Sequence, residues 1–459
     1  MFYEMVNYVG MNLKKTSVTD MTKGNPLKLI LFFSLPLMMG NVFQQFYTVT
    51  DTAIVGQVLG VNALAALGAV DWLNWMMLGI VQGITQGFSI LVAQKFGSGE
   101  YDKMRKVIGT SCVLALGLSV VLCLVAELGI PASLAFLRIP EEIYYLAELY
   151  LRVIFMGIPV MMIYNMASAL LRALGDSKTP LMAMIVASFV NIGLDLLFVM
   201  VFKWGVAGAA VATIIAQVVA SLYCIRIMLK TEYLKIDRSE MTIEHNFVYK
   251  LLKLAAPMAF QNTIIAFGGM VVQLVVNGYG VAFIAGFTAT TKLYGILEIA
   301  ATSYGYAMVT YTGQNLGAGK NERISSGLRA GLLIGIFTSL LISLLMFVFG
   351  KDILSLFISL EDEGGFEALE IAFNYLKIMS TFLPVLYLIH IIRSTIQGMG
   401  NTILPMVSGI SELIMRISAS FILPVFFGQN GIMFAEICAW MGADLILIPG
   451  YIVNRNRLE

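Results

Sequence analysis

Long apolar runs recur along the chain, separated by short stretches where the charged residues collect. A run of about 18 or more residues with almost no charge is long enough to cross a bilayer as a helix. Twelve such runs are read, at roughly 28–54, 64–94, 105–129, 142–172, 180–202, 206–230, 252–279, 283–312, 325–350, 368–398, 404–427 and 430–453. The second and fourth are longer than a perpendicular span needs, so they are expected to tilt or kink. Gly157 and Pro159 offer the kink in the fourth. The connections are too short to hold a soluble domain.

The pattern repeats itself. Pro36 answers to Pro257 and Pro180 to Pro405, at nearly equal offsets of a little under half the chain. Between them the turn Gly97-Ser-Gly99 resembles Gly317-Ala-Gly319, and the turn leading to Pro180 resembles the one leading to Pro405. The Gly157/Pro159 pair loosely matches Pro384. Six helices per half is an even number, so both halves enter the membrane from the same side and the repeat is parallel rather than inverted. The expected fold class is therefore all-α and polytopic: twelve transmembrane helices in two six-helix bundles around a central cavity. The expected organisation is an N-terminal segment 1–27, an N-lobe 28–230, a linker 231–251, a C-lobe 252–453 and a tail 454–459.

Composition agrees with a membrane interior. Hydrophobic residues make up 59% of the chain and charged residues 12%, against about a quarter charged in soluble proteins. That balance excludes a disordered chain. With 29 basic against 28 acidic residues there is no basic excess for a nucleic-acid partner. The basic residues are unevenly placed. Three (Arg138, Lys203, Lys351) fall in one set of loops and five (Arg152, Lys292, Lys377, Arg393, Arg416) within spans. The remaining 21 of the 29 lie at the termini and in the other loops. This bias predicts cytoplasmic termini for an inner (plasma) membrane protein. Lys14, Lys15, Lys23 and Lys28 precede the first run without the short apolar segment of a cleavable signal. Glu361, Asp362, Glu363, Glu367 and Glu370 read as a solvated outer loop and helix start. The four cysteines have no paired spacing, and the two histidines, His245 and His390, belong to no metal-binding pattern. The Gly-x-Gly turns lack the strand–turn–helix setting of a phosphate loop. No enzyme activity and no cofactor are expected.

Charge inside the spans needs a reason, because an ionised carboxylate costs about 2.5–3.5 kcal/mol at the bilayer centre. Asp51 lies deep in the first span with Gln44 and Tyr47 on the same face. Met184, Ser188, Asn191 and Asp195 form one face of the fifth, and Thr213 and Gln217 one face of the sixth; Tyr150 in the fourth adds a phenol. If these faces converge, two carboxylates share one dry pocket, where desolvation and mutual repulsion favour taking up a proton. The same oxygens suit a small hard cation such as Na⁺. The alternative is a hydrogen-bonded cluster that only ties helices together. The second half does not duplicate the acids: Val272 or Gln273 stands for Asp51 and Ser420 for Asp195. Its own polar set is Lys292 and Glu298 in the eighth span, His390, Arg393 and Gln397 on one face of the tenth, and Glu412 with Arg416 in the eleventh, suited to an internal ion pair. Asp71, Glu436 and Asp444 lie nearer span ends and are expected at the interface or a cavity rim.

Several of these features together resemble the multidrug and toxic compound extrusion (MATE) transporters. They are the proline-bearing first helix with Asp51 fifteen residues on, the Leu171-to-Pro180 turn, Asn191-x-x-x-Asp195, Trp204-Gly-Val-Ala-Gly-Ala-Ala210 and the six-plus-six repeat. The resemblance runs from about residue 24 to 453. It implies an antiporter that expels amphiphilic, often cationic compounds by alternating access while H⁺ or Na⁺ moves inward. By position, Asp51, Asn191, Asp195 and Thr213 match the family's amino-lobe cation site, with Tyr150 beside it. Gln44, Tyr47 and Met184 match drug-cavity positions, and Ser188 and Gln217 are placed with them. A fourth-span asparagine expected near that cavity could be Asn165, or be replaced by Ser168. Ile265 and Leu386 stand where one branch of the family carries further acids, which points coupling to the first half. The expected partners are small drug-like substrates and the lipid bilayer, for a monomer. The alternative within the same superfamily is a flippase of lipid-linked precursors, for which Arg393, Arg416 and Lys292 would supply cationic side chains.

Overall fold

The computed structural model describes residues 18–235, 240, 243–358 and 364–457. Lys14 and Lys15, parts of the linker (236–239, 241–242), and Glu361, Asp362 and Glu363 of the acidic run lie outside the described residues. The chain is an all-helical polytopic membrane protein, and no strand occurs among the described residues. The first half consists of α1 (Pro26–Leu59), α2 (Val61–Gly97), α3 (Tyr101–Phe136), α4 (Glu141–Met156), α5 (Ile158–Ala173), α6 (Lys178–Asp195) and α7 (Val206–Met228). The second half consists of α8 (His245–Val276), α9 (Val281–Leu297), α10 (Ile299–Gly317), α11 (Asn321–Ser355), α12 (Gly365–Gly398), α13 (Ile403–Phe427) and α14 (Ala435–Asn456).

Local chemistry sets several boundaries. Pro26 opens α1 where no intrahelical N–H partner is needed, and the Asn25 side chain accepts from Leu27 N at 2.9 Å. The fourth span bends by 47° between α4 and α5, at Gly157 and ahead of Pro159, which cannot donate to the preceding turn. The second span stays one unbroken helix of 37 residues. Pro384 lies inside the continuous α12, so its match to Pro159 carries no shared break. The eighth span breaks instead between α9 and α10, at Glu298, three residues after Gly295 and without a proline. Between α13 and α14 a short 3₁₀ turn, Gly428–Phe434, folds the last two spans against each other.

The two hydrophobic cores do not divide at the linker. Ile30, Phe33 and Leu37, in the first third of α1, pack in the core of the second half. Their repeat counterparts Leu251, Leu254 and Met258, at the offset that relates Pro36 to Pro257, pack in the core of the first half. The first helix of each half thus crosses to the opposite lobe. The crossing brings α2 and α8 into close contact. A Cβ on Gly87 would meet the Ala255 backbone at 2.5 Å, so the two helices approach at backbone distance.

At the end of the molecule that bears the basic loops, the lobes are closed over each other. The segment before α1 crosses this mouth. Thr19 N donates to Leu174 O of the first half at 3.3 Å, and Met21 N donates to Gln314 Oε1 of the second at 2.8 Å. Lys320 Nζ holds the Thr22 carbonyl at 2.9 Å. The described part of the linker is strapped to α3, where Glu240 accepts from Arg105 at 2.9 Å and Glu244 pairs with Lys106 at 2.9 Å.

Candidate functional site

The polar faces of α1, α6 and α7 meet in the first half. Asp51 and Asp195 are both buried and interact directly across the α1–α6 contact. Asn191 Nδ2 donates to Thr213 Oγ1 at 3.4 Å, which joins α6 to α7. The Tyr47 and Tyr150 phenols stand within electrostatic range of both carboxylates. Ser188, a further turn along α6, donates to Met184 O at 2.8 Å and to Phe43 O of α1 at 3.4 Å. Gln44 lies beside Tyr47, and Gln217 one turn beyond Thr213.

The oxygen balance of this pocket is one-sided. Asp51 Oδ1, both Asp195 oxygens, Asn191 Oδ1 and Gln217 Oε1 are buried acceptors with no hydrogen-bond donor. Buried acceptors are normally paired, so such a concentration has to be explained by what the group binds. Two facing carboxylates with an amide oxygen nearby offer several acceptors, and among the described residues no positive side chain compensates them. That arrangement accepts a proton or a small hard cation. Local backbone geometry supports the placement, since α6 passes into a π-helical turn, Leu196–Val201, directly after Asp195.

Depth differs from the reading of Asp51 as a midplane residue. Helix α1 extends to Leu59, only eight residues beyond Asp51, and the span that carries Asp195 ends with the π-helical turn at Val201. The pocket therefore lies toward the end of the first lobe remote from the basic loops. Asn165 donates to the Met161 carbonyl on its own helix at 2.9 Å, and Ser168 accepts from Arg172 at 2.6 Å.

The charges of the second half form a separate, largely paired network. Arg393 donates to Glu412 at 2.8 Å, Arg416 to Glu412 at 3.1 Å and Arg416 to Glu436 at 2.7 Å. The expected Glu412–Arg416 pair is thus one link of a chain of four. With its amide oriented toward Arg393, Gln261 of α8 accepts from that guanidinium at 3.1 and 3.3 Å. Arg416 also donates to the Ile265 carbonyl at 3.3 Å. His390, on the same face of α12, turns instead to Glu298 at 3.1 Å, at the break between α9 and α10. Ser420 spends its hydroxyl on the Arg416 carbonyl. Two positions differ from their expected rim placement. Asp444 is buried inside the second lobe, and Glu436 is held by Arg416 rather than standing in solvent. Helix α14 begins only at Ala435, which puts both residues on a packed helix.

Lys292 is not part of that network. It reaches Asp71 of α2 across the lobe boundary at 3.3 Å. Sequence reasoning named both residues without joining them. The signal was the repeat itself, because the two occupy equivalent positions in the two halves, at the same offset as Pro36 and Pro257. Asn41 and Asn262, another pair at that offset, likewise cross between halves, to Ser303 at 3.3 Å and to the Gly79 carbonyl at 2.7 Å.

Known proteins share this architecture. A profile of the MatE family matches residues 36–197 and 257–422. The chain is 32% identical to the probable multidrug resistance protein YpnP of Bacillus subtilis, over 90% of this chain and 92% of that one. It is 23% identical to the multidrug export protein MepA of Staphylococcus aureus, over 95% and 96%. Its fold superposes with a TM-score of 0.88 on a Pyrococcus furiosus transporter of the MOP superfamily, described as having a binding pocket of reversed polarity that suggests a different function. That match is 22% identical and covers 97% of this chain and 98% of the other. Both repeats of the family profile fall on the two six-span halves, and the chain belongs to the MatE family.

Proposed function

We propose that the chain is a cation-coupled multidrug efflux antiporter of the plasma membrane, with both termini cytoplasmic, that exports amphiphilic, often cationic compounds by alternating access. The observation that carries this reading is the pair of buried, donor-less carboxylates Asp51 and Asp195 between α1 and α6. The names of the relatives, a probable multidrug resistance protein and a multidrug export protein, support the substrate class.

The chemistry follows from charge. With both carboxylates ionised the pocket holds two like charges, with no positive side chain among the described residues to offset them. One H⁺ or Na⁺ between them removes that repulsion, allows α1 and α6 to close on each other, and lowers the attraction of the pocket for an organic cation. Ion entry and drug release then favour each other, as exchange requires. Asn191 and Thr213 orient oxygens toward the ion, Tyr47 and Tyr150 limit access to water, and Gln44, Met184, Ser188 and Gln217 line the approach. Among the described residues no third Asp, Glu, His or Cys joins the pair, which suits H⁺ or Na⁺ better than a divalent ion. One proton falling through about 100 mV releases about 2.3 kcal/mol, enough for roughly a 40-fold gradient of a neutral solute.

A lipid-linked precursor flippase would need free cationic side chains for phosphates. Arg393 and Arg416 are already engaged with Glu412 and Glu436, which favours the antiporter. Everted vesicles with pH and Na⁺ gradients imposed separately test the reading. Drug accumulation should follow one of the two gradients and should be lost in Asp51→Asn and in Asp195→Asn, with both variants still inserted. Normal gradient-driven efflux by either variant would overturn the coupling assignment.

A further inference from the structure

The amino-lobe pocket does not use Asp71, and the buried network of the second lobe does not use Lys292. These two side chains meet at 3.3 Å, one from each lobe, and they are 59% and 64% exposed. A charge in a transmembrane helix that faced lipid would be costly. With one side chain from each lobe, the pair sits at the lobe boundary, and its exposure points to an aqueous cleft there.

The surroundings of the pair agree. On the α1 side, Asn41 bonds Ser303 of α10, and the Gln45 amide lies 3.9 Å from where a Cβ of Gly295 on α9 would stand. Gln45, Thr48 and Thr52 continue this exposed polar stripe along α1. On α2, Trp75 lies one turn from Asp71 on the same face and is exposed. Its indole stacks edge-on with Trp72 at 6.3 Å, and Trp72 itself is seated against Gly269 of the other lobe. Asp71 is also within electrostatic range of Tyr150, the phenol beside Asp51 and Asp195. A carboxylate next to an exposed indole is an arrangement that can hold an organic cation, by charge on one side and by the aromatic face on the other. The cation now beside it is Lys292.

We propose that Asp71 is a recognition carboxylate for amphiphilic organic cations in the interlobe cleft, and that Lys292 occupies it as a built-in competing cation, so that the pair sets the charge selectivity of the cleft. The proposal rests on the reading of the cleft as a drug path. An exposed ion pair is worth only about 0–1 kcal/mol, so an arriving cation with apolar surface to bury displaces Lys292 readily. A small inorganic cation, which has no apolar surface to bury and keeps its hydration shell, does not. An anionic ligand meets the opposite situation: it has to draw Lys292 away from Asp71.

The test uses two probes of the same shape and opposite charge, tetraphenylphosphonium and tetraphenylborate. Equilibrium binding to the purified full chain in detergent is measured against protein-free micelles. Lys292→Met should bind the phosphonium about threefold more tightly, the size expected for removing an exposed ion-pair competitor, and the borate more weakly. Asp71→Asn should shift both probes the other way. Both side chains are exposed, so both variants should melt as the parent does, and Asp71→Glu should restore the parental ratio. Unchanged phosphonium-to-borate ratios in the folded Lys292→Met and Asp71→Asn proteins would overturn the proposal. A shifted ratio in a protein that performs no ion-driven drug efflux would leave this site standing and overturn the antiporter reading instead.

Discussion

Gln94 and Gln314 hold the same place in the two halves, and each donates its side-chain amide to the opposite lobe. Gln94 Nε2 bonds the Gly398 carbonyl at 3.1 Å, and Gln314 Nε2 bonds the Ala173 carbonyl at 2.9 Å. The two acceptors are themselves repeat partners, at the ends of α12 and α5. The basic end of the molecule is thus closed by a pseudo-symmetric pair of hydrogen bonds. Gly97 lies against the Gln314 carbonyl and Gly317 against the Gln94 carbonyl, with no room for a side chain on either.

This closure is open to a direct steric test. A Cβ on Gly317 would stand 1.8 Å from the Gln94 carbonyl oxygen, so Gly317→Ala cannot keep the lobes together there. The expected outcome is a mouth held ajar. A cysteine at Met21, which is fully buried in the closed form, should react with a soluble maleimide severalfold faster in the Gly317→Ala background, with the native cysteines replaced in both proteins. Equal labelling rates would show that the mouth opens without disturbing this contact.

The buried charge network of the second half should behave as a unit. Glu412 bridges Arg393 and Arg416, and all three are at least nine-tenths buried. Glu412→Gln takes the paired counter-charge from the buried Arg393 and leaves Arg416 with Glu436 alone. Losing one partner of a buried pair typically costs about 3–5 kcal/mol, so the thermal midpoint in detergent should fall clearly. Replacing Arg416 and Glu436 together by Met and Gln removes one charge of each sign and should cost less than Glu412→Gln alone. Comparison of the melting curves decides the order.

Asp195 should be dispensable for stability while being required for coupling. It has no donor partner and faces Asp51, so Asp195→Asn removes a like-charge contact. The variant should melt no lower than the parent in sodium-free buffer at alkaline pH. The coupling ion should stabilise only the parent, by about 2.7 kcal/mol at a hundredfold excess over its dissociation constant. A melting temperature in Asp195→Asn that still rises with the coupling ion would move the binding site elsewhere.

At the basic end, Glu100 gives a pH signature that the membrane interior does not complicate. Hydrogen bonds from Lys103 and Lys95 hold its carboxyl down from 4.5 to about 2. A lowered folded-state value means that Glu100 contributes stability above its unfolded value, and that this contribution fades as the pH falls from about 4.5 through about 2. The site is solvent-exposed, so the effect is small. Thermal melts of Glu100→Gln across that window should show a shallower acid limb than the parent. Identical limbs would mean that the lysine contacts are not maintained in solution.

The outlines of the fold were legible in the chain because the bilayer imposes a length on every span. Apolar runs and the charges between them marked the helices, and the repeated prolines and glycine turns marked two halves. Faces at three- and four-residue spacing pointed Asp51, Asn191, Asp195 and Thr213 inward. Helical periodicity gives a residue's direction on its own helix but not its partner on another. His390, Arg393 and Gln397 share one face of α12 in sequence, yet in space His390 turns to Glu298 while Arg393 turns to Glu412. The break at Glu298 follows Gly295 by three residues, and a lone glycine inside an apolar run does not by itself announce a break.

Many membrane spans and two related halves are written in the chain, as is the lack of second-half counterparts for Asp51 and Asp195. Spacing and hydropathy are local properties, and each span must satisfy its own backbone within lipid whatever its neighbours are. Tertiary structure alone decided that the first helix of each half crosses into the other lobe's core, that Asp51 and Asp195 face each other without a donor, and that Asp71 meets Lys292. Those relationships join residues that lie on different helices and far apart along the chain. They depend on how helices pack, which is fixed by shape and by the pairing of buried charge between helices.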